Sequence, residues 1–336
     1  MHVLIALGLA APLAVAAGLL LYDSLPTPAF SQSATLTTLS AFQPPVDGAN
    51  PRSTLLHGPD GSFYGTTSEG GDNGAGTVFR LCLAPSDFNG DGWSDLLLQE
   101  PSTGQLAVWF MDGTAPVSGA FVTPMQDPAW QAVGVGRFQG GGSPDILFQN
   151  TSSGQLALWQ MNGVTAVSGQ LLGSTLPSGW SVVSIADFNG DGWPDLLLQN
   201  GSAGQLAIWY LKGTSILGGA YVTPGLPAGW TAVGTGAFRG DGRPDNVLQN
   251  PSTGQLAVWT MHNNNATDGA FLTASQQAGW RCVGVADLNG DGWTDLVFQN
   301  QSTGQLTYWL MNGVQAVGGN FFAAQPPGGW QVVGPR

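Results

Sequence analysis

The residues best suited to chemistry form a short acidic run, D-x-N-x-D-G-x-x-D, which begins at Asp87. Oxygen ligands at its first, third and fifth positions can wrap one cation, and the glycine at the sixth position permits the sharp turn. The seventh residue offers its backbone carbonyl, and the ninth adds a carboxylate. Hard oxygen ligands of this kind favour Ca²⁺ over zinc or copper.

The run occurs intact three times, so the sequence predicts about three Ca²⁺ sites. Position 12, where an EF-hand carries glutamate, is Leu98, Leu198 or Phe298, which places the loops between strands. Turn formation alone is the simpler interpretation, but the clustered carboxylates would then repel one another without a cation. The predicted ligands, with each tryptophan acting through its carbonyl, are Asp87, Asn89, Asp91, Trp93, Asp95, Asp187, Asn189, Asp191, Trp193, Asp195, Asp287, Asn289, Asp291, Trp293 and Asp295.

Two further copies of the run are degenerate. Their first positions are Arg137 and Ala237, and the fifth position of the former copy is Gly141. A guanidinium beside half a site replaces the charge of a cation rather than coordinating one. We therefore expect no calcium in these two copies, although they retain the last aspartate, as Asp145 and Asp245.

The five copies are spaced by 50 residues without insertion or deletion. Each copy is followed by a GQLxxW block, and each GQLxxW block is followed by a W-x-x-V block. Each unit predicts four short strands separated by Gly, Pro, Asn and Asp. Such units indicate an all-β β-propeller of five four-stranded blades, with a solenoid as the alternative. The final segment 328–334 can supply the missing first strand of the blade that begins at Asp87. The Gly-rich stretch 53–81 is about one blade long, so the sequence leaves open whether the propeller has a sixth blade.

The predicted organisation has four parts. Residues 3–22 carry no charge and precede a Pro/Ser-rich stretch, which predicts a signal peptide or an uncleaved membrane anchor. Either interpretation exports the remaining chain to a secreted or cell-surface location. The predicted parts are a leader at 1–22, a linker at 23–35, a blade-like segment at 36–86 and the propeller at 87–336.

Composition restricts the partners. The chain has 8 Lys+Arg against 21 Asp+Glu and a net charge of −13, which argues against nucleic acid and anionic lipid. The expected partner is a glycan or a surface protein, and the expected state is a monomer.

None of His2, His57 and His262 recurs in the repeats or has an evident Ser or Cys partner, so we expect no enzyme. Cys82 and Cys282 occupy the same position within the repeat, so the sequence leaves open whether they form a disulfide bond.

The unit DFNGDGxxDLLLQN…STGQLAVWxMNG resembles the bacterial FG-GAP/VCBS-type repeat, which is related to the integrin alpha-chain propeller. The stretch DGSFYGTTSEGGDNGAGTVFRL is similar to one GloVer repeat of bacterial exported proteins. These resemblances imply a secreted or surface propeller in which calcium ions stiffen the loops between strands. Members of the FG-GAP/VCBS family serve in adhesion and ligand binding, and some related fungal propellers are lectins. The integrin pattern has seven units, whereas this chain has five.

The leading hypothesis is a calcium-stabilised module for adhesion or binding of a glycan or surface ligand. Trp93, Trp193 and Trp293 occur only in intact loops and either cap them structurally or stack on a sugar. A structural or display spacer without a ligand is the first alternative. An accessory to a polysaccharide-active enzyme is the second.

Overall fold

The chain divides into two compact units, Met1–Leu83 and Ala84–Arg336. Most of the predicted leader and all of the predicted linker, 23–35, lie outside the described residues. Within the described part, no helix has the length and apolar character needed to cross a bilayer. The computed structural model describes residues 3–7, 36–41, 49–51, 53–57, 63–71, 74–81, 84–139 and 143–336.

The first unit is built from short antiparallel strands. They are β1 (Val3–Leu7), β2 (Leu36–Ala41), β3 (Ala49–Pro51), β4 (Leu56–His57), β5 (Phe63–Glu69) and β6 (Val78–Leu81). Strand β1 pairs with β2, whereas β5 pairs with β3, β4 and β6. Thr67 and Thr77 join their hydroxyl groups at 2.9 Å beside the β5–β6 pair. The strand–turn–strand pattern of the Gly-rich stretch is therefore a small sheet of its own.

The second unit consists of five antiparallel four-stranded sheets, one for each 50-residue repeat. The first three sheets contain β7 (Leu96–Glu100), β8 (Gln105–Asp112), β9 (Ala115–Phe121); β10 (Trp130–Gly136), β11 (Asp145–Asn150), β12 (Gln155–Asn162), β13 (Thr165–Thr175); and β14 (Trp180–Ala186), β15 (Asp195–Asn200), β16 (Gln205–Lys212), β17 (Ser215–Tyr221). The last two contain β18 (Thr231–Gly236), β19 (Asp245–Gln249), β20 (Leu256–His262), β21 (Asn265–Phe271); and β22 (Trp280–Ala286), β23 (Asp295–Asn300), β24 (Leu306–Asn312), β25 (Gln315–Phe321).

Strand β26 (Gln331–Gly334) closes the ring. It pairs with β7 and so becomes the inner strand of the first blade, about 230 residues further along the chain than its partner. The inner strands β10, β14, β18, β22 and β26 each contact the next, and β26 contacts β10. The prediction of a five-bladed propeller closed by 328–334 is confirmed. The count is five rather than six because β6 pairs with β5 and the ring is complete without it.

The second strand of each blade is buried on both faces, as the unbroken apolar run predicts in four of the blades, and in the fourth blade the run is interrupted by the buried Asn246. In β7, Leu96, Leu97 and Leu98 are almost completely inaccessible to solvent. Four of the five inner strands contain glycine at a position where the neighbouring blade approaches closely. A Cβ atom on Gly134 of β10 would lie 2.7 Å from the Ile185 side chain of β14, so a larger residue would separate the blades.

Apolar clusters fill the spaces between adjacent blades, and each of the five clusters takes side chains from two neighbours. Between the fifth and first blades, Leu288, Val297 and Phe322 pack against Leu98 and Met111. Each fully buried side chain of this size contributes roughly 1.5–3 kcal/mol relative to exposure. The five clusters therefore supply the main attraction that holds the ring closed.

A glutamine in every second strand ties each blade to the next. Its Oε1 accepts the backbone N–H of the neighbouring inner strand, as Gln99 does from Ala132 at 2.9 Å. The Gln99 Nε2 group also donates to the Trp130 carbonyl at 3.0 Å. The equivalent acceptors in the other blades are Gln149, Gln199, Gln249 and Gln299.

Candidate metal loops

Each acidic run leads into the second strand of its blade, and in the second to fifth blades it connects the inner strand to that strand. The loops are numbered with their blades: the first spans 87–95, and the others follow at intervals of 50 residues. In the first loop Gly90 and Gly92 have φ values of 80° and 96°, which L side chains rarely adopt. These two glycines let the backbone wrap around the side chain of Asp87.

Asp87 organises the first loop. Its carboxylate accepts backbone hydrogen bonds from Gly90 at 2.6 Å, Asp91 at 3.2 Å and Gly92 at 2.9 Å. Asp187 accepts the same three bonds in the third loop. The intact loops thus share one backbone conformation, with oxygen-bearing side chains gathered along a single turn.

The third and fifth positions bond to each other, and in the intact loops all of these side chains are exposed except that of Asn289, which is half-buried. In the first loop the Asn89 amide donates to Asp91 Oδ2 at 2.7 Å, and the Trp93 N–H donates to Asp91 Oδ1 at 2.9 Å. The third and fifth loops repeat both bonds. These side chains face solvent, where a cation can reach them.

The last aspartate has a structural task. Asp95 is 0% exposed, and its two oxygens accept the N–H groups of Phe88 at 2.8 Å and Met111 at 3.0 Å. The loop is thereby joined to the third strand of the same blade. Burial, opposed by these bonds and reinforced by Asp87 and Asp91, raises the pKa of Asp95 to about 7. The bond to the third strand recurs, intact loop or not, at Asp145, Asp195, Asp245 and Asp295.

Each of the two degenerate loops carries an arginine: Arg137 takes the place of the first aspartate in the second loop, and Arg239 takes the place of the asparagine in the fourth. Arg137 donates to the Ala84 carbonyl at 3.1 Å. Burial lowers the pKa of its guanidinium, while the carboxylates of Asp87 and Asp145 favour its charged form. The second loop thus contains a fixed cation, and its Gly141 lies outside the described residues. In the fourth loop Arg239 forms an exposed ion pair with Asp268 at 3.4 Å.

The donor set of the intact loops fits a hard cation. Each has three carboxylates and an amide oxygen within nine residues and contains neither histidine nor cysteine. The pKa of the last aspartate is raised to about 7 in all three, against about 6 in the degenerate loops, and the neighbouring carboxylates contribute to this rise. Among the described residues, no three His, Cys, Asp or Glu side chains converge in a metal-holding group. The calcium sites remain a prediction.

Two of the three loop tryptophans pack across a blade boundary, and the third packs within its own blade. A Cβ atom on Gly290 of the fifth loop would lie 3.3 Å from the Trp93 ring, and one on Gly240 of the fourth loop would lie 3.5 Å from Trp293. The Trp193 ring lies beside Gly213 in the turn between β16 and β17. All three rings are partly buried. These contacts support structural capping over sugar stacking at these positions.

A second set of aromatic residues lies at the ends of the outer strands and was not singled out from the sequence. We call Phe121, Tyr221, Phe271 and Phe321 the rim aromatics. Each is more than half exposed, and each packs against the tryptophan of a W-x-x-V block with ring centres 6.0–6.2 Å apart. In the second blade the corresponding residue is Leu171, which is 58% exposed. The signal in the sequence that could have identified the rim aromatics is their recurrence in step with the 50-residue repeat.

Among the described residues, the remaining reactive side chains do not come together in a site. Cys282 is a free, buried thiol that donates to the Gly284 carbonyl, and burial raises its pKa to about 12. Cys82 lies outside the described residues, as does His2. His262 is exposed at the end of β20.

These features define the second unit as a five-bladed β-propeller with one such loop, intact or degenerate, in each blade. Residues 137–198, 187–248 and 238–298 each match the model of the FG-GAP-like repeat. The chain therefore carries three FG-GAP-like repeats, and the predicted resemblance to this repeat is confirmed. No curated protein matches the chain significantly.

Several solved structures are similar at low identity. A protein of unknown function from Bacteroides caccae is 12% identical, over 68% of this chain and 73% of that one, with a TM-score of 0.38. The Dos1 propeller is 13% identical over 82% and 71% of the two chains, with a TM-score of 0.33. The periplasmic gluconolactonase PpgL of Pseudomonas aeruginosa is 15% identical over 87% and 93%, with a TM-score of 0.33. None of these likenesses bears on function.

Proposed function

We propose that the chain is an exported binding module whose propeller is stiffened by Ca²⁺ in the first, third and fifth loops. The observation that carries the proposal is the contrast between loops. Three of the five retain every oxygen ligand of the acidic run, whereas each of the other two lacks the first aspartate and carries an arginine, Arg137 at the first position or Arg239 at the third. In a loop that formed only a turn, the loss of the first aspartate would not need to coincide with the gain of an arginine.

The ligands would come from the first, third, fifth and ninth positions, with the seventh contributing its carbonyl. In the first loop these are Asp87, Asn89, Asp91, Asp95 and Trp93. A bound cation supplies positive charge that relieves the repulsion between the carboxylates. Because Trp93 packs against the fifth loop, an ordered first loop also steadies the boundary between two blades.

Binding rather than catalysis is proposed because the acidic residues serve loops and buried backbone bonds. The last aspartate of each loop is committed to the N–H of the third strand. A net charge of −13 opposes polyanionic partners. The proposed partner is a glycan or a protein on a cell surface, and the proposed location is secreted or surface-attached.

The test uses the full chain on an array of glycans and polysaccharides and on intact cells, with millimolar Ca²⁺ and with a chelator. We expect binding that depends on Ca²⁺ and a melting temperature that rises when Ca²⁺ is added. An unchanged melting temperature would contradict the calcium sites. Failure to bind every glycan and every cell surface would contradict the binding role.

A further inference from the structure

We propose that the rim aromatics form repeated subsites for the neutral sugar units of a glycan chain. This inference rests on the proposed binding function and names its ligand class and its location. It moves the sugar-binding role away from the acidic loops, whose tryptophans are packed against neighbouring segments. The rim aromatics are instead accessible, with exposed fractions from 54% at Phe321 to 66% at Phe271.

The fourth blade carries the clearest example. A cavity of about 210 Å³ lies between the start of β20 and the segment that follows β21, and its lining includes Gln255, Phe271, Thr273 and Ser275. The Phe271 ring packs against Trp230 with ring centres 6.0 Å apart. Trp230 itself packs against the cluster between the third and fourth blades, so the ring that supports Phe271 is held in place without a ligand.

The polar groups of this cavity are available for recognition. Thr273 Oγ1 accepts the Ala316 N–H at 3.2 Å, so the hydroxyl proton is free to donate to a ligand. Within the described part of the chain, the Gln255 side-chain amide has no hydrogen-bond partner and can both donate and accept. The lining contains no charged side chain, which selects a neutral ligand.

A sugar ring matches this combination. Its C–H face packs on an aromatic ring, and its hydroxyl groups can bond an amide and a hydroxyl at the edge of that ring. The volume falls below the roughly 300–1,000 Å³ of drug-sized sites and suits one small unit. A protein partner would instead need about 800 Å² of continuous surface per side, whereas these aromatic pairs are separate, one in each of four blades.

Repetition is the second argument. Weak subsites spaced around a ring gain strength when one ligand, or one cell surface, presents many copies of the same unit. A polysaccharide has this property. The second blade, where Leu171 replaces the aromatic residue, is a natural negative control within the same chain.

The experiment measures binding of the full chain to immobilised neutral polysaccharides: a glucan, a galactan, a mannan and chitin. The variant Phe271→Ala should weaken binding a few-fold. Alanine at all four rim aromatics should weaken it at least about tenfold, because avidity is lost. Leu171→Ala, at an equally exposed position, should leave binding unchanged. Thermal melts of each variant verify the fold.

A gain of binding provides the converse test. Leu171→Tyr adds an aromatic residue to the second blade beside Trp130 and should strengthen polysaccharide binding without altering the melt. If the fourfold alanine variant binds as the wild type does, the rim is not the site, and the binding function stands. If the wild type binds cells or surface proteins but none of the four polysaccharides, the sugar assignment is wrong. If it binds nothing, both proposals fail.

Discussion

The side-chain amide of Gln299 donates to the Trp330 carbonyl at 2.9 Å, and its oxygen accepts the Val332 N–H at 3.1 Å. This contact joins the fifth blade to the strand that completes the first. Gln149 makes the same two bonds to Trp180 and Val182 between the second and third blades. The junction at which the ring closes is therefore chemically equivalent to a junction inside it.

Replacing Gln299 by alanine should destabilise the propeller by about 1–3 kcal/mol, because the buried Val332 N–H loses its acceptor. Gln149→Ala should cost a similar amount. Gln331→Ala, at an exposed position, is the matched control and should have little effect. Urea unfolding measures all three. Equal stabilities for Gln299→Ala and Gln331→Ala would show that the contact contributes nothing.

The last aspartate should matter in every blade, with or without metal. Asp195→Ala and Asp245→Ala each remove the acceptor of a third-strand N–H, from Leu211 and Met261 respectively. We expect each variant to lose about 1–3 kcal/mol per orphaned buried donor in metal-free buffer. Chemical denaturation gives the comparison. A loss confined to Asp195→Ala would contradict a shared structural role.

The fifth position should separate intact from degenerate loops. Asp191→Ala should reduce the number of bound Ca²⁺ ions by one and lower the melting temperature in Ca²⁺. Asp241→Ala, in the loop that begins with Ala237, should change neither quantity. Calorimetric titration gives the stoichiometry. Indistinguishable titrations for the two variants would overturn the assignment of calcium to the odd-numbered loops.

Stability of the metal-stripped chain should fall as the pH rises. The folded-state pKa is about 7 for Asp95, Asp195 and Asp295 and about 6 for Asp145 and Asp245, all above the ordinary value of 3.8. The folded chain therefore binds more protons than the unfolded chain between these limits. The stabilisation that these five aspartates contribute is fully present below about pH 4, and it is lost as the pH rises through their folded-state pKa values.

The measurement is the urea midpoint of the metal-stripped chain at about pH 5 and about pH 8, repeated with Ca²⁺. The midpoint should be lower at the higher pH, and Ca²⁺ should reduce the difference because it favours ionised carboxylates in three of the five loops. A metal-free chain that becomes more stable toward pH 8 would contradict the raised pKa values.

The sequence predicts the blades well because their signals are local and repeated. The unbroken apolar run at Leu96–Leu98 indicates burial on both faces, and GGWQVVG indicates a strand in need of a partner. Contacts between blades are different. That Trp93 packs against Gly290 depends on the angle between the first and fifth blades, which no local pattern encodes.

The two features missed in the sequence illustrate the same limit. A glutamine recurs at the position of Gln99 in every blade, inside a largely apolar strand. This pattern indicates a buried hydrogen-bond partner but does not identify it. Phe271 looks like an ordinary strand residue, and its exposure and its contact with Trp230 follow from the strand's place at the outside of the blade. The acidic loops were recognisable because the predicted calcium ligands lie within nine residues of one another.

The pairing of β26 with β7 has a consequence for the order of events on the ribosome. The second to fifth blades each draw their four strands from one continuous stretch and can assemble as soon as that stretch emerges. The first blade must hold β7, β8 and β9 with an open edge until Gln331–Gly334 has been synthesised. Such long-range pairing is slow, and an exposed edge invites pairing with other chains. The blade translated earliest is thus the last to become safe from aggregation.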